Sequence, residues 1–253
     1  MSSTLIKKWF HSIASPRGFY QFSGRLMPWL AAITGLLMVT GLVWGLLFTP
    51  PDYLQGNSYR IIFIHVPVAF LASAAYVMMA AAGAVTLIWR IKLADVLLKA
   101  AAPVGASFCF LALVTGAIWG KPTWGTWWIW DARLTSVLIL LFLYFGVIAL
   151  RGAIASEHSA SKACAVLTLV GVVNIPIIKF SVQWWNTLHQ GATLTLTEKP
   201  SMAPEMLYPL LISIAGFYLF FLLVLLLRMR TEILNRERRT QWVQTLTGNG
   251  LEK

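Results

Sequence analysis

Five tryptophans crowd into the twelve residues from position 119 to position 130, in the run WGKPTWGTWWIW. The whole chain of 253 residues holds only 12 tryptophans, so this segment is far denser than chance would produce. Indoles favour the surface of a membrane, but an aromatic belt is spread over many helix ends. Large rigid aromatic faces gathered in one segment suit a flat and largely apolar ligand. We therefore predict a ligand platform formed by Trp119, Trp124, Trp127, Trp128 and Trp130.

Two histidines could supply metal ligands beside this platform. His65 lies near the start of a long apolar stretch, and His189 lies in the run SVQWWNTLHQG, four residues after Trp185. A short helix would put His189 and Trp185 on one face, and Trp184 belongs to the same run. Either histidine alone is as readily an ordinary interfacial residue. Together, two neutral imidazoles match the axial positions of a porphyrin iron whose ring the indoles cover.

The charged residues nearest the aromatics could bind the carboxylates of such a ligand. Arg60 and Arg133 each lie at the edge of an apolar stretch, and a guanidinium presents a planar fork that matches a carboxylate. Anchoring at the membrane surface explains either arginine equally well. Asp131 could pair with Arg133, cap the following helix or orient a neighbour, and the residues leave these roles open.

The elements that must position these residues are membrane-spanning helices. Apolar residues make up 58% of the chain and charged residues 11%, a composition typical of polytopic membrane proteins. Six stretches approach the ~20 residues that a spanning helix needs, and none alternates like a strand of a membrane barrel. We predict an all-α integral membrane protein, a bundle of six transmembrane helices near residues 28–48, 61–89, 100–120, 134–150, 163–180 and 205–227.

The distribution of basic residues orients this bundle. With the N-terminus inside, fifteen of the 20 lysines and arginines fall in inner segments and five in outer ones. The positive-inside rule then puts both termini in the cytoplasm. We predict one membrane domain, residues 1–253, with external loops at 119–133 and 181–204. Residues 228–253 form a basic cytoplasmic tail close to anionic lipid.

Several common chemistries are not supported by the sequence. Cys109 and Cys164 lie in apolar runs without a CxxC, CxxCH or zinc spacing, so we predict two free core cysteines. The run GAIWGK, residues 116–121, is one residue short of a P-loop, and Pro122 replaces the required hydroxyl residue. We therefore expect this chain to bind no nucleotide. The net charge of +11 follows the membrane topology, so we expect no nucleic acid either.

The run WGTWWIWDARLTS, residues 124–136, resembles the tryptophan-rich WWD signature of haem-handling proteins in cytochrome c maturation. With six predicted spans, the chain is similar to the CcmC family of system I over essentially its whole length. The resemblance implies that His65 and His189 are the axial ligands of haem b and that residues 119–131 contact the ring. It also implies a non-enzymatic role in the bacterial inner membrane.

The partners are implied by the same resemblance and by nothing else in the sequence. Members of the family hold haem at the periplasmic face and present it to the membrane-anchored haem chaperone CcmE, which becomes covalently attached to it. The resemblance further implies a complex with the transporter subunits CcmA and CcmB and with the small protein CcmD.

Two other functions remain open. A permease subunit of an ABC-type exporter of haem or another small molecule should show polar residues near midplane or interrupted spans. Only Asn174 and Pro176 suggest this, and we interpret them as packing and a kink. An assembly scaffold, in contrast, would need neither of the two histidines.

Overall fold

The structure is a computed structural model that describes residues 15–189, 191 and 201–248. The described residues form eight α-helices: α1 (Pro16–Val43), α2 (Ile62–Trp89), α3 (Lys92–Trp124), α4 (Ala132–Ala153), α5 (Glu157–Gly171), α6 (Asn174–Trp184), α7 (Pro204–Arg236) and α8 (Gln241–Leu246). A π-helical turn, Trp44–Phe48, extends α1, and a 3-10 turn, Asn57–Ile61, leads into α2.

Six helical segments are long and apolar enough to cross a membrane, which confirms the predicted fold class. They are Pro16–Phe48, Asn57–Trp89, Lys92–Trp124, Ala132–Ala153, Glu157–Trp184 and Pro204–Arg236. Most extend past the predicted stretches because a helix continues through polar residues that hydropathy does not count. The largest difference is at the start of α1, where Ser15 caps the helix by accepting a hydrogen bond from the Gly18 amide at 3.1 Å.

The tryptophan segment is half helical, whereas the sequence predicted a loop over residues 119–133. Helix α3 continues to Trp124, and it ends because Gly125 adopts the left-handed conformation, with φ of 78°. Asp131 then caps α4, since its Oδ1 accepts a hydrogen bond from the Leu134 amide at 2.7 Å. The irregular connection is therefore only residues 125–131, and a rigid helix carries Trp119 and Trp124.

The fifth span is interrupted between α5 and α6. Helix α5 ends at Gly171, and α6 begins at Asn174, whose buried amide donates a hydrogen bond to the Ser136 carbonyl of α4 at 2.8 Å. The interruption thus has its polar group satisfied by a neighbouring helix, as the packing interpretation of Asn174 expected. Helix α6 then packs against the start of α4, where Arg133 donates a hydrogen bond to the Ile178 carbonyl at 2.7 Å.

The core is centred on α3, which packs against α2, α4 and α7. The fully buried Tyr144 of α4 donates a hydrogen bond to the Ala72 carbonyl of α2 at 2.7 Å. Its ring crosses α3 at Gly105, where a Cβ atom would lie only 2.4 Å from the ring. A larger residue at position 105 would separate these helices. Both cysteines, Cys109 and Cys164, are buried and free, as predicted.

An ion-pair network joins the helices at the end of the bundle opposite the tryptophans, which we call the basic end. Asp95 of α3 accepts two hydrogen bonds from Arg151 of α4, at 2.8 and 2.7 Å, and contacts Arg236 of α7 at 2.7 Å. The side chains of Asp95 and Arg151 are both buried. The network continues through Lys99, Glu157 and Glu232. The end that carries Trp119–Trp130 is called the tryptophan end.

Candidate functional site

His65 lies at the tryptophan end, one turn into α2, and faces α3. Its Nδ1 atom is 3.0 Å from the Thr115 hydroxyl oxygen. The Thr115 hydroxyl also lies within hydrogen-bond distance of the carbonyls of Leu111, at 2.6 Å, and Ala112, at 3.3 Å. When it donates its single proton to either carbonyl, its oxygen accepts from the imidazole, which then carries its proton on Nδ1 and keeps a lone pair on Nε2. This is the tautomer that a metal-ligating imidazole needs when a neighbour holds its other nitrogen.

The position of the His65 ring depends on two more residues of α3. At Gly116, a Cβ atom would lie 3.1 Å from the His65 Cε1 atom, so the glycine gives the ring room against the helix. Trp119 meets the imidazole edge to face, with the ring centres 5.6 Å apart. The Trp119 indole is itself held by a hydrogen bond to the Gln55 side chain at 2.8 Å. Thr115, Gly116 and Trp119 thus form one supporting face for His65.

His189 lies on the segment that follows α6 rather than on a helix, and hydrogen bonds through Thr187 position it. Its amide donates to the Thr187 hydroxyl oxygen at 3.0 Å, and that hydroxyl donates to Oδ2 of Asp131. The other oxygen of Asp131 caps α4 through Leu134. One carboxylate therefore fixes the start of α4 and the position of the histidine segment. Of the three roles the sequence left open for Asp131, the structure supports capping and orientation of a neighbour.

The two histidines lie against neighbouring tryptophans of α3. The His189 ring centre is 6.3 Å from that of Trp124, and His65 lies close enough to His189 and Arg133 for their charges to act on its imidazole. The histidines are 124 positions apart in the chain, so the packing of the helices brings them to the same end of the bundle. Six of the predicted residues therefore lie together at the tryptophan end: His65, Trp119, Trp124, Asp131, Arg133 and His189.

The remaining tryptophans of the site are exposed, apart from the half-buried Trp128. Trp130 is 78% exposed and Trp127 56%, and Trp130 meets Trp128 edge to face with the ring centres 5.5 Å apart. Trp184 stacks on Phe180 with the ring centres 5.2 Å apart, and Trp185 contacts the edge of Trp184. Large indole faces thus remain open to a ligand or partner beside the cluster, on both α6 and the 125–131 connection.

The two arginines differ in how far their guanidinium groups are already engaged. Arg60 donates to the carbonyls of Leu46 and Thr49, at 3.1 and 2.6 Å, and so ties the end of α1 to the turn before α2. Arg133 donates from Nη1 to the Ile178 carbonyl at 2.7 Å, and its positive charge lies close enough to act on the His65 imidazole. The geometry therefore favours Arg133 for a ligand carboxylate and gives Arg60 a clear structural role.

Sequence reasoning missed the supporting residues Gln55, Thr115, Gly116 and Thr187. Thr115 and Trp119 are four positions apart on one helix face, which was the available signal, but nothing local indicates that His65 faces them. Thr187 carries no signal because its partner, Asp131, lies 56 positions earlier in the chain.

Comparison with known proteins identifies relatives over most of the chain. The family model for CcmC, described as heme exporter protein C, matches residues 9–244. The heme exporter protein C of Haemophilus influenzae is 50% identical over 239 residues, which cover 94% of this chain and 97% of the relative. The protein of that name from Escherichia coli K12 is 51% identical over 239 residues, covering 94% and 96%. The one from Bradyrhizobium diazoefficiens is 50% identical over 228 residues, covering 90% and 86%.

Proposed function

Because the chain belongs to the CcmC family and is a multi-pass, haem-handling component of the CcmABC system, we propose that its tryptophan end binds haem b between His65 and His189. The observation that carries the proposal is the placement of the two imidazoles. His65 lies against Trp119 with Nδ1 3.0 Å from the Thr115 hydroxyl oxygen, and His189 lies against Trp124, one turn further along the same helix. His65 and His189 would hold the iron, and two imidazole ligands would favour holding haem over activating oxygen.

The surrounding residues fit the shape and charge of haem. The indoles of Trp119 and Trp124 lie beside the two histidines, and Trp128 packs against Trp130. Arg133 has guanidinium nitrogens left to pair with a propionate. Trp127 and Trp130 stay exposed, so one edge of the bound ring remains within reach of a protein partner. A site of this form binds haem firmly and still lets it leave.

The proposed role is to present haem to the chaperone CcmE at the periplasmic face of the bacterial inner membrane. This orientation rests on the excess of lysine and arginine at the basic end, which the positive-inside rule assigns to the cytoplasm. CcmA, CcmB and CcmD are the proposed partners within the membrane complex. The proposed role of the chain itself is transfer and assembly, in which it brings haem and chaperone together.

The absorption spectrum of the purified protein tests this function. We expect a Soret band and the low-spin pattern of six-coordinate haem in the wild-type protein. His65→Ala and His189→Ala should each convert the spectrum toward a five-coordinate form and reduce haem loading of CcmE. Added imidazole should partly restore the spectrum, because it can occupy the space that the side chain leaves.

The matched control is His158→Ala, an exposed histidine in the first turn of α5 at the basic end. This change should leave both the spectrum and the loading of CcmE intact. A low-spin six-coordinate spectrum that persists in the His65→Ala, His189→Ala double variant would eliminate the pair as ligands. A permease subunit or a scaffold would carry no histidine-dependent Soret band at all.

A further inference from the structure

At the basic end, a cavity of about 720 Å³ opens between the start of α1, the end of α7 and the short helix α8. Its charged lining consists of Arg17, Arg25 and Arg230, and Trp242 and Leu246 contribute apolar surface. Within the part of the chain that the structure describes, no carboxylate lines it. We propose that this cavity binds the phosphate of an anionic phospholipid. The proposal concerns the end opposite the histidines and does not rest on haem binding.

Arg230 is held in place before any ligand arrives. Its guanidinium lies 3.7 Å from the centre of the Tyr20 ring, and Nη1 donates to the Ser23 hydroxyl at 3.1 Å and to the Tyr20 carbonyl. Gly24 makes this crossing possible, since a Cβ atom there would lie 2.8 Å from Nη1. Nε and Nη2 make no hydrogen bond within the described residues, so they remain available to an anion.

The three arginines of the cavity are not neutralised by ion pairs within the described part of the chain. Arg17, Arg25 and Arg230 form no ion pair with any residue that the structure describes. Glu237, the acid closest in sequence to α8, accepts a hydrogen bond from the Trp242 indole at 2.6 Å. Three guanidinium groups around one space favour a phosphate, because their planar donors match its oxygens.

The exposed surface above the cavity favours a lipid as the source of that phosphate. Leu26, Trp29, Ile33 and Leu36 are exposed and follow one another at helical spacing along α1. From Arg25 to Leu36, the helix rises roughly 16 Å, which is about half of the ~30 Å hydrocarbon core of a bilayer. The acyl chains of a phospholipid whose headgroup binds the arginines would therefore lie along these apolar side chains, within one leaflet of the bilayer. Interfacial Trp242 and Tyr20 suit the same depth.

Haem is the alternative anionic ligand for this cavity, because its propionates also bind arginine. The described lining contains no histidine, cysteine or methionine, and Tyr20, the remaining side chain able to bind iron, lies with its ring against Arg230. The cavity thus offers charge and an apolar surface but no free iron ligand. This combination fits a phospholipid better than haem.

Native mass spectrometry of the full-length protein, released from bilayers of phosphatidylglycerol and phosphatidylcholine, tests the proposal. We expect the wild-type protein to retain phosphatidylglycerol selectively. The double variant Arg17→Gln, Arg25→Gln should retain roughly tenfold less or worse, since each arginine at the membrane surface adds attraction for anionic lipid. The matched control Arg238→Gln, Arg239→Gln removes the same charge outside the cavity and should retain the lipid normally.

A second variant distinguishes binding in the cavity from a general electrostatic attraction of anionic lipid to the basic end. Gly24→Ala keeps every charge but crowds Arg230, so it should lower retention of phosphatidylglycerol while circular dichroism shows unchanged helix content. Equal retention of both lipids by the wild-type protein would overturn the proposal, as would an equal loss in the control variant. Displacement of the lipid by millimolar inorganic phosphate would identify a free-anion site instead, and displacement by micromolar haem would identify a haem site. Either result would also overturn it.

Discussion

The hydrogen bond between Thr115 and His65 can be removed almost without a change of shape. Valine has the same branched outline as threonine but offers no oxygen to accept the proton on Nδ1. The helix itself loses nothing essential, because the Thr115 hydroxyl only bonds back to the Leu111 carbonyl of its own helix. Thr115→Val therefore changes one thing at the candidate site, the partner that fixes the tautomer of His65.

The magnitude of this change follows from the alternatives left to the imidazole. If Nδ1–H stays in place between α2 and α3, a part-buried donor loses its acceptor, which costs about 1–3 kcal/mol. If the proton moves to Nε2, the nitrogen that would bind the iron loses its lone pair. The haem-free protein can avoid the unpaired donor by moving the proton, but the haem-bound protein needs the lone pair on Nε2, so haem should be bound about 5- to 150-fold more weakly, since 1.4 kcal/mol is tenfold in affinity. Loss of the hydrogen-bond partner of a metal-ligating histidine typically lowers metal affinity by about 10- to 100-fold, which agrees.

A titration of the haem-free protein with haem, followed at the Soret band, measures this effect. Thr115→Ser is the matched control because it keeps the hydroxyl and removes only a methyl group, so its dissociation constant should stay near the wild-type value. Thr115→Val should bind more weakly than Thr115→Ser and more tightly than His65→Ala. If the valine and serine variants bind haem equally well, the hydroxyl does not orient His65 and the tautomer argument is wrong.

Three further predictions concern the rest of the tryptophan end. Asp131→Asn can keep the cap on α4, but its amide nitrogen can only donate to Thr187, so the hydrogen bond reverses and loses its charge. Thr187→Val removes this hydrogen bond altogether, so haem affinity should fall several-fold in Thr187→Val and less in Asp131→Asn while the melting temperature changes little; the double variant should bind no more weakly than Thr187→Val alone. Trp130→Ala should reduce haem transfer to CcmE without lowering the amount of protein in the membrane, because its indole is exposed; normal transfer would contradict a platform role. Reporter fusions after Thr126 should report an external location and those after Glu157 an internal one, and the reverse result would refute the proposed orientation.

The spans were predictable from the sequence because each is a continuous apolar stretch, and the cost of burying charge in lipid allows few alternatives. Their ends were less predictable. Helix α3 continues through Pro122 to Trp124 and stops only where Gly125 adopts a left-handed conformation. Hydropathy does not register this, since the last turns of α3 are polar or aromatic and can be helix or loop equally well.

The candidate ligands were predictable from residue type, but the contacts that hold them were not. His65 and His189 are histidines beside a dense set of indoles, which is a local pattern. The bond from His65 to Thr115 spans 50 positions and the one from Thr187 to Asp131 spans 56. Such contacts depend on how α2, α3 and α4 turn about their axes in the bundle. For the same reason, the engagement of Arg60 with the end of α1 could not be read from its position at a span edge.

The sharing of Asp95 between Arg151 and Arg236 restricts how this chain can change by mutation. Among the described residues, loss of Asp95 alone would leave Arg151 only the exposed carboxylate of Glu157, and leave Arg236 only Glu157 and Glu232, and breaking a buried pair costs about 3–5 kcal/mol. Replacement of the whole set by well-packed apolar residues would often be neutral. A chain in which only one or two of these residues are replaced should therefore be less stable than either the parent or the fully replaced chain. We expect substitutions at Asp95, Arg151 and Arg236 to occur together or not at all. A laboratory library that varies them one at a time would recover almost only the parent residues.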